Sequence, residues 1–147
     1  MTPPPPSPTD SDSLDVKNDR VEVDRIIDRI ASALDRFGYD KASRFAVKLA
    51  VQEGLANAFH HGHKNLPEDV PVHVDYDVGP DQVSVRITDR GPGFDPATVP
   101  DPTLDENLER PCGRGIMLIR AYMTDVSFND SGNQIHMRYD RPGLGEA

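Results

Sequence analysis

The fold is decided by the stretch Ala46-Val-Lys-Leu-Ala-Val-Gln-Glu53-Gly-Leu-Ala-Asn57-Ala-Phe-His-His61-Gly62. Apolar residues recur on nearly every side of this stretch, which predicts a single helix packed on two sides. Glu53 and Asn57 lie four residues apart, so their side chains share one helix face. Because a buried charge without a partner is costly, the pair faces a ligand, an ion, a polar network or a water-filled cleft, or else it is exposed. An exposed pair would simply be the polar stripe of an amphipathic helix. The helix alone does not decide between a ligand site and an exposed stripe.

The composition limits both the architecture and the partners. A chain of 147 residues fits one domain with a single two-layer core. It has 25 acidic and 16 basic residues, a formal net charge of -9 and no run of Lys and Arg, which argues against nucleic acid as a partner. No window approaches the roughly 20 apolar residues of a membrane span, and the N-terminus lacks the features of a secretory signal. We therefore expect a cytoplasmic protein that does not bind a membrane.

Helical periodicity appears before the central stretch and again near the C-terminus. Apolar spacing over residues 23–37 predicts an amphipathic helix that stops at Gly38. Asp40 or Ser43 can cap the central helix, which runs to about residue 61. A third helix is predicted to begin after Gly113-Arg-Gly115, with apolar residues from Ile116 onwards supplying its buried surface.

The remaining periodic segments alternate like strands. Residues 70–78 and 83–87 predict two antiparallel strands, and residues 126–129 and 135–139 predict two more. Pro71 is expected at the beginning of the first strand or on an unpaired edge, because proline cannot donate to a ladder. This order of elements predicts an α+β two-layer sandwich, in which helices pack on one face of a mixed, mostly antiparallel sheet.

The segments outside these elements define the predicted domain boundaries. Residues 1–18 are rich in Pro, Ser and Asp and are expected to be a disordered tail, followed by one domain over residues 19–141 and a loose tail over residues 142–147. Residues 95–112 form a long loop without helical or strand periodicity. Such loops within compact domains are often functional lids.

Two glycine motifs follow the central helix, and each is weak evidence when taken alone. Asp89-x-Gly91-x-Gly93 leaves the end of a predicted strand, where Asp89 can accept a hydrogen bond from a ligand amine. It does not match the dinucleotide-binding fingerprint, which needs a third glycine and a following helix. Gly113-x-Gly115 precedes a predicted helix, and backbone amides at a helix N-terminus attract phosphate.

Together the helix pair and the two glycine motifs resemble the GHKL, or Bergerat-fold, ATPase domain. Within that group they are most similar to the anti-sigma-factor serine/threonine kinase branch, and the resemblance covers about residues 21–140. The three boxes of the family correspond, in order, to Glu53-x-x-x-Asn57 with His61-Gly62, to Asp89-x-Gly91-x-Gly93, and to Gly113-Arg114-Gly115-Ile116.

The resemblance implies a role for each of these residues. It implies that Asp89 accepts from the adenine amino group of ATP and that Asn57 holds Mg²⁺, which prefers oxygen ligands and keeps several waters. It implies that Glu53 is the catalytic carboxylate, which accepts or orients the proton of the attacking hydroxyl. The other residues implied to bind the nucleotide are Gly91, Gly93, Gly113, Arg114, Gly115 and Ile116.

The function implied is that of an ATP-dependent serine/threonine kinase that phosphorylates an anti-sigma-factor antagonist and sequesters a sigma factor, as a homodimer. The alternative is a non-catalytic module of the same fold, in which ATP orders the lid and sets the affinity for a partner protein. A histidine kinase is disfavoured, because the sequence has no predicted dimerisation helix with a phosphoacceptor histidine.

The sequence departs from the family pattern at two positions. His60 stands where many relatives carry Arg or Lys, and Gly132-Asn133 stands where relatives often carry Gly-Thr. The second departure predicts a weakened polar contact near the adenine. The first leaves charge neutralisation near the phosphates to other basic residues, namely Lys64, Arg110 or Arg114.

Overall fold

The computed structural model describes residues 9–62, 70–91, 111–130 and 132–142. The helices and strands in these ranges follow the predicted order, with one additional strand before the first helix. In chain order the elements are β1 (Asp10–Val16), α1 (Arg20–Arg36), α2 (Lys41–Asn57) with a π-helical turn (Ala58–Gly62), β2 (Val72–Val78), β3 (Gln82–Thr88), α3 (Pro111–Tyr122), β4 (Asp125–Phe128) and β5 (Gln134–Asp140).

The described strands form one sheet in the order β1-β2-β3-β5-β4, and every pair in it is antiparallel. One face of the sheet is apolar and buried, as the alternation of β2 illustrates with Val72, Val74, Tyr76 and Val78. The other face carries polar side chains. This arrangement confirms the predicted α+β sandwich with a largely antiparallel sheet. None of the helices in the described ranges is both long enough and apolar enough to cross a membrane.

The first two helices begin and end where local chemistry directs. Asp19 accepts a hydrogen bond from the Val21 N–H at 2.8 Å, so α1 begins at Arg20, slightly before the predicted apolar stripe. The helix ends before Gly38, whose φ of 75° lies in the left-handed region that glycine adopts readily. Asp40 accepts from the Ser43 N–H at 2.7 Å and thereby caps α2, as predicted.

Helix α2 lies at the centre of the helical layer, where it contacts α1, α3 and the strands β3 and β5. It is therefore packed on two sides, as its apolar sequence predicts. Its buried residues include Val47, Val51 and Leu55, each at most 1% exposed. At about 25 cal/mol per Å² of apolar surface, burying such side chains is the main force that holds the helix to the sheet.

Strand β1 corrects the prediction that residues 1–18 are a disordered tail. Residues 10–16 pair with β2, while residues 1–8 lie outside the described part of the chain. Val16 and part of Leu14 are the apolar surface that the strand buries, but Arg29 donates to Asp12 at 2.6 Å and Arg36 pairs with Asp10. Composition could not reveal this strand, because its backbone partners and its arginine partners lie elsewhere in the chain.

Helix α3 begins earlier than predicted, at Pro111 rather than after Gly115. Proline is favoured at the first helical position, where its missing N–H would have no helical partner. The predicted lid lies almost wholly outside the described residues, as does most of the predicted C-terminal tail, so both remain predictions.

Candidate functional site

The second half of α2 carries the two polar side chains that are predicted to face a cleft. Glu53 and Asn57 are half-buried, and neither side chain has a hydrogen-bond partner among the described residues. Within that part of the chain, both therefore keep their hydrogen-bonding capacity for a ligand. Directly after Asn57 the helix passes into the π-helical turn Ala58–Gly62, a type of distortion that is frequent at functional sites.

Gly54 brings this part of α2 unusually close to the sheet. A Cβ atom at position 54 would lie 2.8 Å from Ile87 Cδ1 and 2.9 Å from Met137 Cε, closer than real carbon atoms approach. Glycine at this position therefore lets the helix settle onto β3 and β5. As a result, Asn57 lies beside the point where β3 ends.

Asp89 follows β3 and shares a hollow with Asn57. Its Oδ1 accepts from the Gly91 N–H at 2.8 Å, and its own N–H donates to the Asn133 carbonyl at 2.8 Å, so its position is fixed from both sides of the loop. The helix contributes Gly54, Asn57 and Ala58 to the lining. The sheet and its loops contribute Ile87, Asp89, Phe128, Gly132, Asn133, Gln134 and Ile135.

The hollow enclosed by these residues is small, with a cavity volume of about 10 Å³. That is roughly the space needed by one water molecule. A purine ring would enter only if bordering side chains turned aside. The chemistry of the lining nevertheless fits a heteroaromatic base, because it combines apolar side chains, one of them aromatic, with an acidic acceptor and three side-chain amides.

The β4–β5 hairpin supplies two residues, Asn129 and Gln134, that the motif analysis did not assign to the site. Asn129 Oδ1 accepts from the Asn133 N–H at 3.1 Å and from the Gln134 N–H at 3.2 Å. Gln134 Nε2 donates to Thr88 Oγ1 at 2.9 Å, next to Asp89. Asparagines at both ends of a turn sequence were the available signal, since Asn side chains commonly bond turn backbone.

Gly115 lies against Glu53, which links α3 to the carboxylate on α2. A Cβ atom at position 115 would approach Glu53 Oε2 to 3.3 Å, tighter than ordinary van der Waals contact. The structure thus brings together Asn57 with Asp89 at one place, and Glu53 with Gly115 one helical turn away. Glu53 is not among the residues that line the hollow itself.

The other predicted site residues are described less completely. Gly91 is in place beside Asp89, and Ile116 is buried, with 6% of its surface exposed. His60 is exposed in the π-helical turn. Gly93, Lys64 and Arg110 lie outside the described residues, and of Gly113 and Arg114 only their place in the first turn of α3 is described.

A roomier groove lies elsewhere, between α1 and β1, with a volume of about 730 Å³. It is lined mainly by carboxylates and guanidinium groups, and it is crossed by the Arg29–Asp12 ion pair at 2.6 Å. Because Arg29 and Arg36 pair with Asp12 and Asp10 in this groove, and none of the predicted site residues lines it, we assign the site to the smaller hollow.

Comparison with known proteins decides the family. The model of the histidine kinase-like ATPase domain matches residues 16–139. The chain belongs to this family. Among curated proteins, this ATPase domain is 29% identical over 107 residues to the serine-protein kinase RsbW of Oceanobacillus iheyensis, covering 69% of this chain and 67% of the relative. It is also 29% identical over 131 residues to RsbW of Listeria monocytogenes, covering 84% and 82%.

A solved structure supports the same fold. The crystal structure of the RsbU and RsbW domains of Rv1364c from Mycobacterium tuberculosis superposes with a TM-score of 0.60 at 14% sequence identity. The match covers 91% of this ATPase domain and 32% of that chain, so this chain spans about a third of the solved one. The predicted resemblance to RsbW-type members of the GHKL group is therefore confirmed, whereas the roles of individual residues stay predictions.

Proposed function

We propose that this histidine kinase-like ATPase domain binds ATP with Mg²⁺ and transfers the γ-phosphoryl group to a serine or threonine of a partner protein. The observation that carries the proposal is the convergence of Asp89 and Asn57 on one hollow, with the Glu53 carboxylate on the same helix face against Gly115. The relatives named serine-protein kinase RsbW support the same activity.

Each residue then has a distinct task. Asp89 accepts a hydrogen bond from the amino group of the base, and it is held for this by the Gly91 N–H. The amide oxygen of Asn57 would hold Mg²⁺, a cation that is satisfied by few protein oxygens. When bound, Mg²⁺–ATP would supply the phosphoryl group, and its Mg²⁺ ion would neutralise the negative charge that develops during transfer.

Glu53 acts on the hydroxyl of the partner protein. Its carboxylate accepts the hydroxyl proton while the oxygen–phosphorus bond to the partner forms and the bond to ADP breaks. We propose an anti-sigma-factor antagonist as the phosphorylated partner and a sigma factor as the sequestered one, in line with the branch that the motifs resemble. A binding module without transfer is the second candidate, and it shares every contact except the role of Glu53.

Nucleotide binding is tested with Asp89→Asn, measured by titration calorimetry with Mg²⁺ and ATP. Because the Gly91 N–H keeps the side-chain oxygen, the NH₂ group of the new amide faces the amino group of the base. Two donors then meet, so we expect binding to fall below detection. Asp81→Asn, in the exposed β2–β3 turn, is the matched control and should bind like the wild type. Retained affinity in Asp89→Asn would remove Asp89 from the adenine contact.

Transfer is tested separately with Glu53→Gln, in an assay that follows phosphate from labelled ATP to a candidate antagonist protein. Because the amide cannot accept the hydroxyl proton, we expect transfer to fall by about 100-fold or more, within the usual range for a general base. ATP affinity should stay close to wild type. Glu22→Gln on α1 is the control. Equal transfer by Glu53→Gln and wild type would mean that Glu53 is not the base, whereas wild type that binds ATP without transferring phosphate would favour the binding module.

A further inference from the structure

The β4–β5 hairpin is closed by an asparagine pair that lies at the hollow. Asn129 Nδ2 donates to Asn133 Oδ1 at 2.7 Å, and Asn129 Oδ1 accepts from the backbone N–H groups of Asn133 and Gln134. Gly132, with a φ of 71°, provides the left-handed turn that allows this closure. We call this set of contacts the Asn129–Asn133 clasp.

The clasp fixes which way both side-chain amides face. Asn129 must present its oxygen to two backbone donors, so its NH₂ group must face Asn133. An NH₂ group needs an acceptor, so Asn133 must present its oxygen in return. The side-chain oxygen of Asn133 is thus used by Asn129, whereas its NH₂ group has no acceptor among the described residues.

The same residue is joined to Asp89. The Asn133 carbonyl accepts from the Asp89 N–H at 2.8 Å, and both residues line the hollow. The site therefore presents the Asp89 carboxylate, which only accepts, and the Asn133 NH₂ group, which only donates, on two residues that are joined by a backbone hydrogen bond. Adenine has the complementary pattern, because its amino donor is flanked by the ring acceptors N1 and N7. Guanine has an acceptor in place of the amino donor.

We propose that Asn133 is a base-specificity residue, whose NH₂ group donates to the adenine ring nitrogen beside the amino group accepted by Asp89. Asn129 is the positioning residue that keeps this NH₂ group turned toward the base. The proposal rests on the proposed ATP binding and names how that site selects its base. The departure from the family's Gly-Thr pattern then replaces one polar contact by another instead of weakening it.

The test compares ATP with two analogues that keep the amino group, 1-deaza-ATP and 7-deaza-ATP, by calorimetry on the full chain. One neutral hydrogen bond corresponds to about fivefold in affinity, so wild type should bind one of the analogues about fivefold more weakly than ATP. Asn133→Ala should bind that analogue and ATP equally. Wild type that binds ATP but does not discriminate either analogue would overturn this proposal, whereas wild type that does not bind ATP would overturn the proposed function.

Asn129→Asp tests the positioning role without removing the hairpin contacts. A carboxylate still accepts from the two backbone N–H groups, but it cannot donate to Asn133. Asn133 should then rotate its NH₂ group toward the new carboxylate and its oxygen toward the base, which removes the preference for ATP over the deaza analogue. Preserved discrimination in Asn129→Asp, with an unchanged melting temperature, would refute the positioning role.

Discussion

The polar side chains in the two halves of α2 differ in whether they have hydrogen-bond partners within the described part of the protein. In the first half, Ser43 is 1% exposed, and its hydroxyl forms a 2.7 Å hydrogen bond with the Tyr139 hydroxyl of β5. Its backbone N–H donates to the Asp40 cap, and this hydrogen bond lowers the pKa of the Asp40 carboxyl. In the second half, Glu53 and Asn57 have no such partner among the described residues. A polar group that is satisfied within the protein contributes to stability, whereas a half-buried one at a hollow is available to a ligand.

The largest effect that separates the two halves is expected from Ser43→Ala. The change leaves the Tyr139 hydroxyl buried without its partner, which costs about 1–3 kcal/mol of unfolding free energy. ATP affinity should be unchanged, because the site lies at the other end of the helix. Chemical denaturation measures the first quantity and calorimetry the second.

Ser32→Ala is the matched control for this prediction. Ser32 lies exposed on α1, so its loss should leave the unfolding free energy within about 0.5 kcal/mol of wild type. If Ser43→Ala lowered ATP affinity without lowering stability, the division of α2 into a structural and a ligand-binding half would be wrong.

The next effect in size comes from Gly115→Ala, which acts on the ligand-binding half. The new Cβ would lie 3.3 Å from Glu53 Oε2, so the carboxylate must shift by a few tenths of an ångström. Because a 1 Å misplacement can cost about 100-fold in rate, we expect a loss of about tenfold in phosphotransfer. Alanine also favours the helix, so the melting temperature should stay constant or rise.

A double-mutant cycle identifies the cause of that loss. If Gly115→Ala acts by displacing Glu53, it should have no further effect in a Glu53→Ala background. An equal tenfold loss in both backgrounds would mean that Gly115 acts through the nucleotide or the partner instead. The comparison requires residual transfer by Glu53→Ala that is measurable in single-turnover assays.

The contrast within α2 also marks how far sequence reasoning reaches. The helix, its cap at Asp40 and the shared face of Glu53 and Asn57 follow from local periodicity, and the structure has them as predicted. The alternating valines likewise predict β2 and β3 correctly. The prediction that was wrong concerns a segment whose structure depends on partners distant in sequence. Strand β1 is held by β2 and α1, so its polar composition alone indicates a tail.

The site shows the same limit. Asp89 and the glycine motifs could be identified because a family pattern carries them, whereas Asn129 belongs to no such pattern. Its contacts depend on a turn that brings its side chain to the backbone of Asn133 and Gln134. The closeness of α2 to the sheet was also not predictable, because it depends on Gly54 meeting Ile87 and Met137 from other strands.

The smallest effect is expected on the open face of the sheet. Two histidines there should make the unfolding free energy depend on pH in opposite directions. The pKa of His73 is raised, mainly by its hydrogen bond with Asp15 at 2.9 Å and also by the charge of Asp75. The pKa of His136 is lowered by burial and by the positive charges of Arg86 and Arg138. Neither histidine lines the hollow, so neither should change ATP affinity.

The signs follow from proton linkage. The folded state holds a proton on His73 more tightly than the unfolded chain, so this contribution is complete below the ordinary pKa of 6.5 and is lost as the pH rises through the raised value. For His136 the folded state disfavours the proton, so stability falls as the pH drops below 6.5.

His73→Gln should therefore remove a decline in stability toward alkaline pH, and His136→Gln should remove a decline toward acid pH. Since His73 is substantially exposed, its effect should stay below about 1 kcal/mol in denaturation curves between about pH 5 and 9. If the decline toward alkaline pH were as large in His73→Gln as in the wild type, the Asp15–His73 pair would not contribute to stability through the protonation of His73.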